Sequence, residues 1–272
     1  MRKVNAESAV QNGGEINIEV QNAIGWLKFD NPDKHNALTQ GMWQDLPNYI
    51  KALNDDPKVR IVVIHGSGNK AFCAGADISE FGIVRKDAKT ARIYEDENVA
   101  AFDAISLCEK PVIAMIQGYC FGGGFGIAAA ADLRIADDGA IFSVPAAKLG
   151  LAYPVAAISN IIDAVGEQAT KEILFTGRRF TAAEMFDRGF LLEVCPSQNL
   201  KSEVTNLATN IAENAPASIR AAKLTINAIR SDNREELLEI ANTVAASTFE
   251  SADYKEGREA FKQRRKPRFQ GK

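Results

Sequence analysis

The sequence is poor in the residues that build metal centres and disulfide frameworks. It contains only two histidines and four cysteines in 272 residues. The cysteines, Cys73, Cys108, Cys120 and Cys195, form no CxxC pair and have no nearby histidine. Zinc sites depend on such close spacing, and disulfide frameworks are typical of short, cysteine-rich secreted chains. We therefore expect four buried or partly buried thiols, no metal site and no disulfide framework.

The chain also lacks a strong excess of one charge and a long apolar run. Its formal net charge of −3 is unlike the basic character of proteins that bind nucleic acid or anionic lipid. Stretches such as "AYPVAAISNII" are too short or too interrupted to span a bilayer, and "MRKVNAESAVQNGGE" has no apolar segment typical of a signal peptide. Hydrophobic residues make up 46% of the chain, enough for a sizeable core. We expect a cytoplasmic protein without nucleic-acid or membrane partners.

The order of the predicted elements favours an α/β fold. Residues 15–29 alternate as two strands around a short turn, and "VRIVVIHGSG" and "KPVIAMIQG" are typical of buried strands. Residues 88–107 have helical spacing, and Asn36 is predicted to cap a helix over residues 39–54. Because strands and helices alternate along the chain, we expect helices packed on sheet.

From about residue 155 onward the pattern is mostly helical. "TAAEMFDRG" combines a threonine cap with an acid at the third helical position and ends at Gly189. "APASIRAAKLTINAIR" and "REELLEIANTVAASTFESADYKEGREAFKQRRK" are typical of amphipathic helices. The basic residues at the end of the second segment suit a helix C-terminus.

Three adjacent glycines, Gly122 to Gly124, precede an apolar helix in "GYCFGGGFGIAAAADLRIA", and they have three interpretations. The first is a dinucleotide site, since Gly124, Gly126 and Ala129 form GxGxxA, but the acid expected about 20 residues later is missing. The second is close packing of the helix on a strand. The third is an anion or oxyanion site built from backbone N–H groups at the positive end of the helix.

A second loop with small residues, "AFCAGADI", also follows a predicted buried strand. Two such loops can direct two N–H groups at one oxygen atom. That arrangement suits a thioester carbonyl that becomes an enolate, because removing one such donor typically costs about 3 kcal/mol in the barrier.

The two loops, "AFCAGADISEF" and "KPVIAMIQGYCFGGGFGIAAAADLRIA", resemble the enoyl-CoA hydratase/isomerase, or crotonase, superfamily. "NPDKHNAL", "FSVPAAKLGL", "ILFTGRRFTAAEMFDRGFLLEVCP" and "APASIRAAK" are similar to further segments of that superfamily in the same order, so the resemblance covers roughly residues 16–268. It implies an α/β, crotonase-like spiral of repeated ββα units over residues 1–200. It also implies a helical C-terminal region over residues 201–272, used for oligomer contacts and the CoA pocket, in a homotrimer or homohexamer.

The resemblance further implies an acyl-CoA substrate, with coenzyme A as part of the thioester and no permanently bound cofactor. The oxyanion donors are then the backbone N–H groups of Ala76 and Gly123. The adenine end of CoA is expected near Lys34, His35, Ala37, Ala74 or its neighbour Cys73, Asp77, Ile78 and Ser79. Lys70 and Arg264 to Lys266 correspond to basic residues that meet the CoA phosphates.

Two positions depart from the hydratases of this superfamily, where the resemblance implies a pair of glutamates. Here the residues are Gly126 and Ala146. Hydration needs a base for water and an acid for Cα, each worth about 10² to 10⁴ in rate, so ordinary crotonyl-CoA hydration is not expected. The predicted acyl pocket comprises Gly126, Ala146, Tyr153 and Phe125, with extra room for a bulky or branched acyl group.

The reaction type stays open at this point. The candidates for an acid or base that replaces the missing glutamates are Tyr153, Tyr119, Cys120, Glu80, Tyr94 and Lys148. The alternatives are a lyase or isomerase that stabilises a thioester enolate, a thioester hydrolase or decarboxylase, and a non-catalytic acyl-CoA-binding protein.

Overall fold

The computed structural model describes residues 13–231 and 233–272. The strands are β1 (Glu15–Gln21), β2 (Ile24–Asp30), β3 (Ile61–Gly66), β4 (Ala71–Cys73), β5 (Val112–Ile116), β6 (Tyr119–Phe121), β7 (Leu133–Asp137), β8 (Ile141–Ser143), β9 (Phe180–Thr181) and β10 (Glu193–Cys195). The helices are α1 (Gln40–Asp55), α2 (Phe81–Val84), α3 (Ala88–Ser106), α4 (Gly123–Ala130), α5 (Val155–Thr176), α6 (Ala182–Asp187), α7 (Leu200–Ala212), α8 (Pro216–Ile229), α9 (Arg234–Thr248) and α10 (Ala252–Gln263).

The strands form two sheets, and from β3 to β8 successive strands alternate between them. The larger sheet has the order β1-β2-β3-β5-β7-β10 and the smaller one β4-β6-β8-β9. From β2 to β10 the larger sheet is parallel, with β1 antiparallel at its edge. The first unit, β1-β2-α1, has both strands in the larger sheet, whereas later units such as β5-β6-α4 put one strand in each sheet and then a helix. The predicted α/β class and the repeated ββα order are confirmed.

Strands β2, β3 and β5 of the larger sheet are buried on both faces. Neighbouring residues of a strand point to opposite sides, so each strand contributes to two clusters. On β2, Leu27 and Phe29 join the main core, whereas Trp26 joins a second cluster. Helix α7 covers that second face with Leu200 and Val204. Burial on both faces explains the continuous apolar runs of the parallel strands.

The predicted cap of α1 is wrong. Thr39, not Asn36, caps this helix, and its hydroxyl accepts a hydrogen bond from the Met42 N–H. Asn36 is buried with a positive φ of 56°. Its amide donates to the carbonyls of Ser67 and Ala71 at 2.9 and 2.7 Å. Asn36 therefore joins its own loop to the connection between β3 and β4.

The C-terminal segment contains helices with clear ends. The predicted capping box of Thr181 and Glu184 at the start of α6 is confirmed. The long segment after residue 233 is two helices, because Ser251 caps α10 by accepting from the Tyr254 N–H at 2.9 Å. The four cysteines are free and buried, as expected.

In residues 13–231 and 233–272, no helix combines the length and apolar character needed to cross a membrane. The same residues contain no group of three or more His, Cys, Asp or Glu side chains arranged to hold a metal ion.

Candidate active site

The two small-residue loops of the sequence lie against each other. Strands β4 and β6 are parallel neighbours, so the loops that follow them emerge at the same edge of the smaller sheet. Gly75 has a φ of 95°, and a Cβ atom added there would lie only 3.0 Å from the backbone nitrogen of Gly123. The structure thus brings the predicted donors, Ala76 and Gly123, onto adjoining backbone segments.

The N–H groups of Ala76 and Gly123 are available for a ligand. The Leu38 N–H donates to the Gly75 carbonyl at 2.8 Å and the Asp77 N–H donates to the Leu38 carbonyl at 2.9 Å, and Ala76 lies between these two bonds. Gly123 begins α4, whose first N–H groups have no partner inside the helix. Within the residues that the structure describes, neither N–H donates to a protein acceptor. Both residues are half-buried, so a carbonyl oxygen can approach them.

Each of the three positions, 122, 123 and 124, requires glycine for a different physical reason. A Cβ on Gly124 would lie 2.2 Å from the Cys73 carbonyl oxygen, and a Cβ on Gly123 would lie 2.7 Å from Cζ2 of Trp43. Gly122 has open space around it but a φ of 48°, which favours glycine. The packing interpretation therefore applies to Gly124, while Gly123 combines tight packing with a free N–H group.

The Gly122 carbonyl accepts three hydrogen bonds. Two come from the N–H groups of Phe125 at 2.9 Å and Gly126 at 3.2 Å. The third comes from the Tyr153 hydroxyl at 2.8 Å. Burial raises the pKa of Tyr153, so this side chain is a neutral hydrogen-bond donor at neutral pH.

The extra room expected at Gly126 is filled by two aromatic side chains. A Cβ on Gly126 would lie 2.8 Å from the Tyr153 hydroxyl oxygen and 2.9 Å from Cε1 of Phe102. Ala146 is half-buried in the short turn Pro145–Leu149. Phe125 is fully buried and stacks on Phe190 with 4.6 Å between ring centres. Of the four predicted pocket residues, Phe125 thus belongs to the core.

The sequence motifs did not indicate Phe102 and Trp43, which also shape this site. Both rings are buried and meet edge to face with 5.6 Å between their centres. Their only sequence signal was an apolar position on a helix, on α1 for Trp43 and on α3 for Phe102, and that signal is common to every core residue.

Burial keeps the thiols and the phenols close to the loops in their neutral forms. Burial raises the pKa of Cys73 to about 12 and that of Cys120 well above its ordinary value. Burial likewise raises the pKa of Tyr94. Since the nucleophilic form of cysteine is the thiolate, neither thiol suits nucleophilic catalysis.

The other acid or base candidates have different surroundings. The Glu80 carboxylate accepts from the Gln40 N–H at 2.7 Å, at the start of α1. Tyr119 meets the His35 ring edge to face with 5.7 Å between centres. Lys148 is exposed. Glu80 thus has a hydrogen-bond donor at the start of α1, and the Tyr119 ring packs against His35.

The residues predicted near the adenine end of CoA are largely brought together. The Ala74 N–H donates to the His35 carbonyl at 3.0 Å. This bond joins the loop that contains His35 to the loop that contains Ala74 and Ala76. The Lys34 ammonium lies 2.6 Å from the Asp77 carboxylate and 3.0 Å from the Ser79 hydroxyl. Burial of Asp77 favours its neutral form, but the Lys34 ammonium and the Ser79 hydrogen bonds outweigh that effect and lower its pKa.

The remaining predicted CoA contacts differ in position. Ile78 and Lys70 are exposed near these loops, and Ala37 is buried. Arg265 and Lys266 instead line a cavity of about 1390 Å³ together with Arg60, and residues of the two loops do not line it. Arg265 is paired with Glu256 at 2.6 Å. Within one chain, the structure does not bring this basic cluster to the loops.

Comparison with known proteins gives a consistent result over nearly the whole chain. The family model described as enoyl-CoA hydratase/isomerase matches residues 19–272. A mitochondrial enoyl-CoA hydratase of Pongo abelii is 31% identical over 248 residues, which is 91% of this chain and 84% of that protein. A crotonyl-CoA hydratase of Syntrophomonas wolfei is 31% identical over 254 residues, 93% of this chain and 97% of that protein. The crystal structure of an enoyl-CoA hydratase/carnithine racemase from Magnetospirillum magneticum superposes with a TM-score of 0.88 at 30% identity, covering 94% of this chain and 96% of that one.

Proposed function

The chain belongs to the enoyl-CoA hydratase/isomerase family, and on that premise we propose that it binds an acyl-CoA thioester and stabilises the enolate of that thioester. The backbone N–H groups of Ala76 and Gly123 are the two donors. The proposal depends on one observation, the close approach of Gly75 to the Gly123 nitrogen with both N–H groups free of protein acceptors in the described residues. Coenzyme A enters as part of the substrate, without a permanently bound cofactor.

The chemistry follows from where charge develops. Removing a proton from Cα of a thioester moves negative charge onto the carbonyl oxygen, and preformed donors stabilise that charge without reorganising. Each donor of this kind is worth about 10² to 10³ in rate. Gly123 also begins α4, where the partial positive charge of the helix end favours an anion.

Ordinary hydration by a glutamate pair is not part of the proposal. Gly126 and Ala146 stand where the family resemblance implies glutamates, and the space beside Gly126 is filled by Tyr153 and Phe102. We propose a lyase or isomerase reaction through the enolate, in which a group on the substrate or a substitute side chain moves the proton.

A second candidate is thioester hydrolysis or decarboxylation. It is favoured by the neutral state of Cys73, Cys120 and Tyr153 near the loops, where burial raises their pKa values and leaves none of them as a nucleophile or base. In either reaction, water or a carboxylate of the substrate supplies the reacting group, and the two N–H donors suffice.

The first experiment is mass spectrometry of a mixed acyl-CoA panel incubated with the protein in deuterated water. Deuterium at Cα identifies enolate formation, whereas free CoA or carbon dioxide identifies the second candidate. Binding without any product would identify a non-catalytic acyl-CoA-binding protein and contradict both.

Two substitutions at one position test the donor. Gly123→Pro removes the N–H, and Gly123→Ala keeps it, while both place a carbon atom against the Trp43 ring. Proline fits the first turn of a helix. We expect exchange at Cα to fall on the order of 100-fold further in the proline variant than in the alanine variant. Equal losses in the two variants would contradict the donor role of Gly123.

We also propose that the chain forms a homotrimer or homohexamer. Support comes from large apolar side chains exposed on and between the last three helices, namely Ile226, Ile229, Ile240, Phe249 and Phe261. Light scattering after size exclusion should give three or six times the chain mass of 29.5 kDa. A mass of one chain would contradict this proposal.

A further inference from the structure

The Gly122 carbonyl and the Gly123 N–H are the two ends of one peptide unit. That unit is planar, with the oxygen and the hydrogen on opposite sides of the C–N bond. Whatever fixes the direction of the Gly122 oxygen therefore fixes the direction of the Gly123 N–H. The contacts of Gly122 thus bear directly on the proposed donor.

Tyr153 holds this peptide unit from outside the helix. The N–H groups of Phe125 and Gly126 belong to the first turn of α4 and move with it. The Tyr153 hydroxyl comes from 31 residues away and donates to the Gly122 oxygen at 2.8 Å. It is the tie, among these three, that connects the peptide unit to a different part of the fold.

Gly122 needs such a tie because its backbone conformation is uncommon. Its φ of 48° and ψ of −121° lie outside the main allowed regions. Because the residues on both sides of this peptide unit are glycines, rotating the unit costs little energy. No atom lies within 4 Å of a Cβ built on Gly122. Side-chain packing at Gly122 therefore contributes little to the direction of this peptide.

The same hydrogen bond also polarises the peptide. Hydrogen bonds in a chain strengthen one another by about 10–30% per bond, so a donor on the Gly122 oxygen makes the Gly123 N–H a stronger donor. Burial keeps the Tyr153 hydroxyl protonated by raising its pKa. A phenolate at this place would accept hydrogen bonds instead and would repel the Gly122 oxygen.

The lack of a side chain at Gly126 is the condition for this contact. A Cβ there would lie 2.8 Å from the Tyr153 hydroxyl oxygen, which is closer than carbon and oxygen atoms pack. Gly126 therefore leaves the space through which Tyr153 reaches the Gly122 carbonyl.

We infer that Tyr153 is a positioning residue that orients and polarises the Gly122–Gly123 peptide so that the Gly123 N–H meets the thioester oxygen. Gly126 is its partner in this role, since it makes room for the hydroxyl. The inference rests on the proposed function, in which the Gly123 N–H is an oxyanion donor. Position 126 then has a role of its own, which is to make room for the Tyr153 hydroxyl, and is not only the place where a catalytic glutamate is missing.

The test uses infrared difference spectroscopy of a bound acyl-CoA carrying ¹³C at the thioester carbonyl. A hydrogen bond to that oxygen lowers its stretching frequency. We expect a clear lowering in the wild-type protein and a smaller one in Tyr153→Phe, which keeps the ring. Exchange of the Cα proton should slow by about two- to tenfold, with little change in the affinity for CoA.

Gly126→Ala provides an independent variant, because it displaces the hydroxyl and leaves Tyr153 in the chain. It should reduce the frequency shift in the same direction. Tyr49→Phe is the matched control, since Tyr49 lies on α1 and its hydroxyl does not contact the Gly122 carbonyl. Melting temperatures of all variants separate a loss of folding from a loss of orientation.

The outcomes distinguish the inference from the proposed function. A wild-type shift that is reduced in Tyr153→Phe and Gly126→Ala, but not in Tyr49→Phe, supports both. A wild-type shift that stays unchanged in folded Tyr153→Phe overturns the inference and leaves the donors intact. A bound thioester without any shift in the wild-type protein contradicts the proposed function, and the inference fails with it.

Discussion

Lys34 and Asp77 connect two loops that are 43 residues apart, with 2.6 Å between the ammonium nitrogen and a carboxylate oxygen. Asp77 is buried while Lys34 is exposed, so the pair lies at the rim of the predicted CoA site. The same carboxylate accepts from the N–H and the hydroxyl of Ser79 at 3.0 and 2.6 Å. Asp77 directly follows Ala76, so these hydrogen bonds fix the loop on the C-terminal side of Ala76.

Asp77→Asn should weaken the acid dependence of stability. The pKa of Asp77 is lowered in the fold despite burial, because of Lys34 and Ser79. A carboxylate with a lowered pKa stabilises the protein above its unfolded pKa of about 3.9 and loses that contribution as the pH falls through the folded value. Unfolding free energies of both proteins between about pH 7 and 3 should converge at the acid end, with a difference of about 1 kcal/mol or less at neutral pH. A constant difference at every pH would contradict this assignment.

Gly126→Glu should not restore hydration. The new side chain meets the Tyr153 hydroxyl and the Phe102 ring within 3 Å of its Cβ, and such overpacking costs about 1–3 kcal/mol. We expect a lower denaturant midpoint and no gain in water addition to crotonyl-CoA. Ala146→Glu is the control, because Ala146 is half-buried in a turn and should lose less stability. Hydration activity gained by the first variant alone would refute this prediction.

Gly124→Ala should destabilise the fold through a single methyl group. Its Cβ would lie 2.2 Å from the backbone oxygen of Cys73, which belongs to β4, so α4 must move away from the strand. We expect a loss of about 1–3 kcal/mol in urea unfolding. Gly82→Ala has no atom within 4 Å of the new Cβ and should be neutral or slightly stabilising. Equal stability of the two variants would mean that the helix can shift without cost.

Lys223→Met should destabilise the fold by weakening the attachment of α8 to the core. The Lys223 ammonium is buried and donates to the Asp132 carboxylate at 2.7 Å and to the Lys110 carbonyl at 3.1 Å. Its removal leaves Asp132 with the Val112 N–H as its described partner, and we expect a loss of about 1–3 kcal/mol in denaturant unfolding. Lys51→Met removes an exposed pair with Asp55 and should cost about 0.5 kcal/mol or less. Similar losses at both lysines would be evidence against a structural role of Lys223.

The strands and the loop pair could be predicted because their signals are local. β3 and β5 are continuous apolar runs, which burial of a parallel sheet on both faces produces. The capping box of Thr181 and Glu184 needs only four residues of sequence. The loops that carry Ala76 and Gly123 follow the short strands β4 and β6, which the sequence did not indicate, and the parallel pairing of these two strands brings the loops together.

Partners that are distant in sequence could not be predicted in the same way. Asn36 and Thr39 are both good caps, and only the positions of Ser67 and Ala71, 31 and 35 residues later, decide that Asn36 has other partners. The space beside Gly126 was expected to be open, because a sequence gives the size of a residue and not of its neighbours. Tyr153 was a candidate acid, and its acceptor on Gly122 is visible only in three dimensions.

The contact between Tyr153 and the space over Gly126 also limits how this chain can change by single substitutions. A larger residue at position 126 displaces the hydroxyl, and a smaller residue at position 153 releases the Gly122 carbonyl before any acid is in place. A path from this site to one with a glutamate at position 126 therefore passes through a weakened intermediate, whichever step comes first. From the inferred role of Tyr153 we expect substitutions at positions 126 and 153 to depend on each other, which favours keeping the present arrangement.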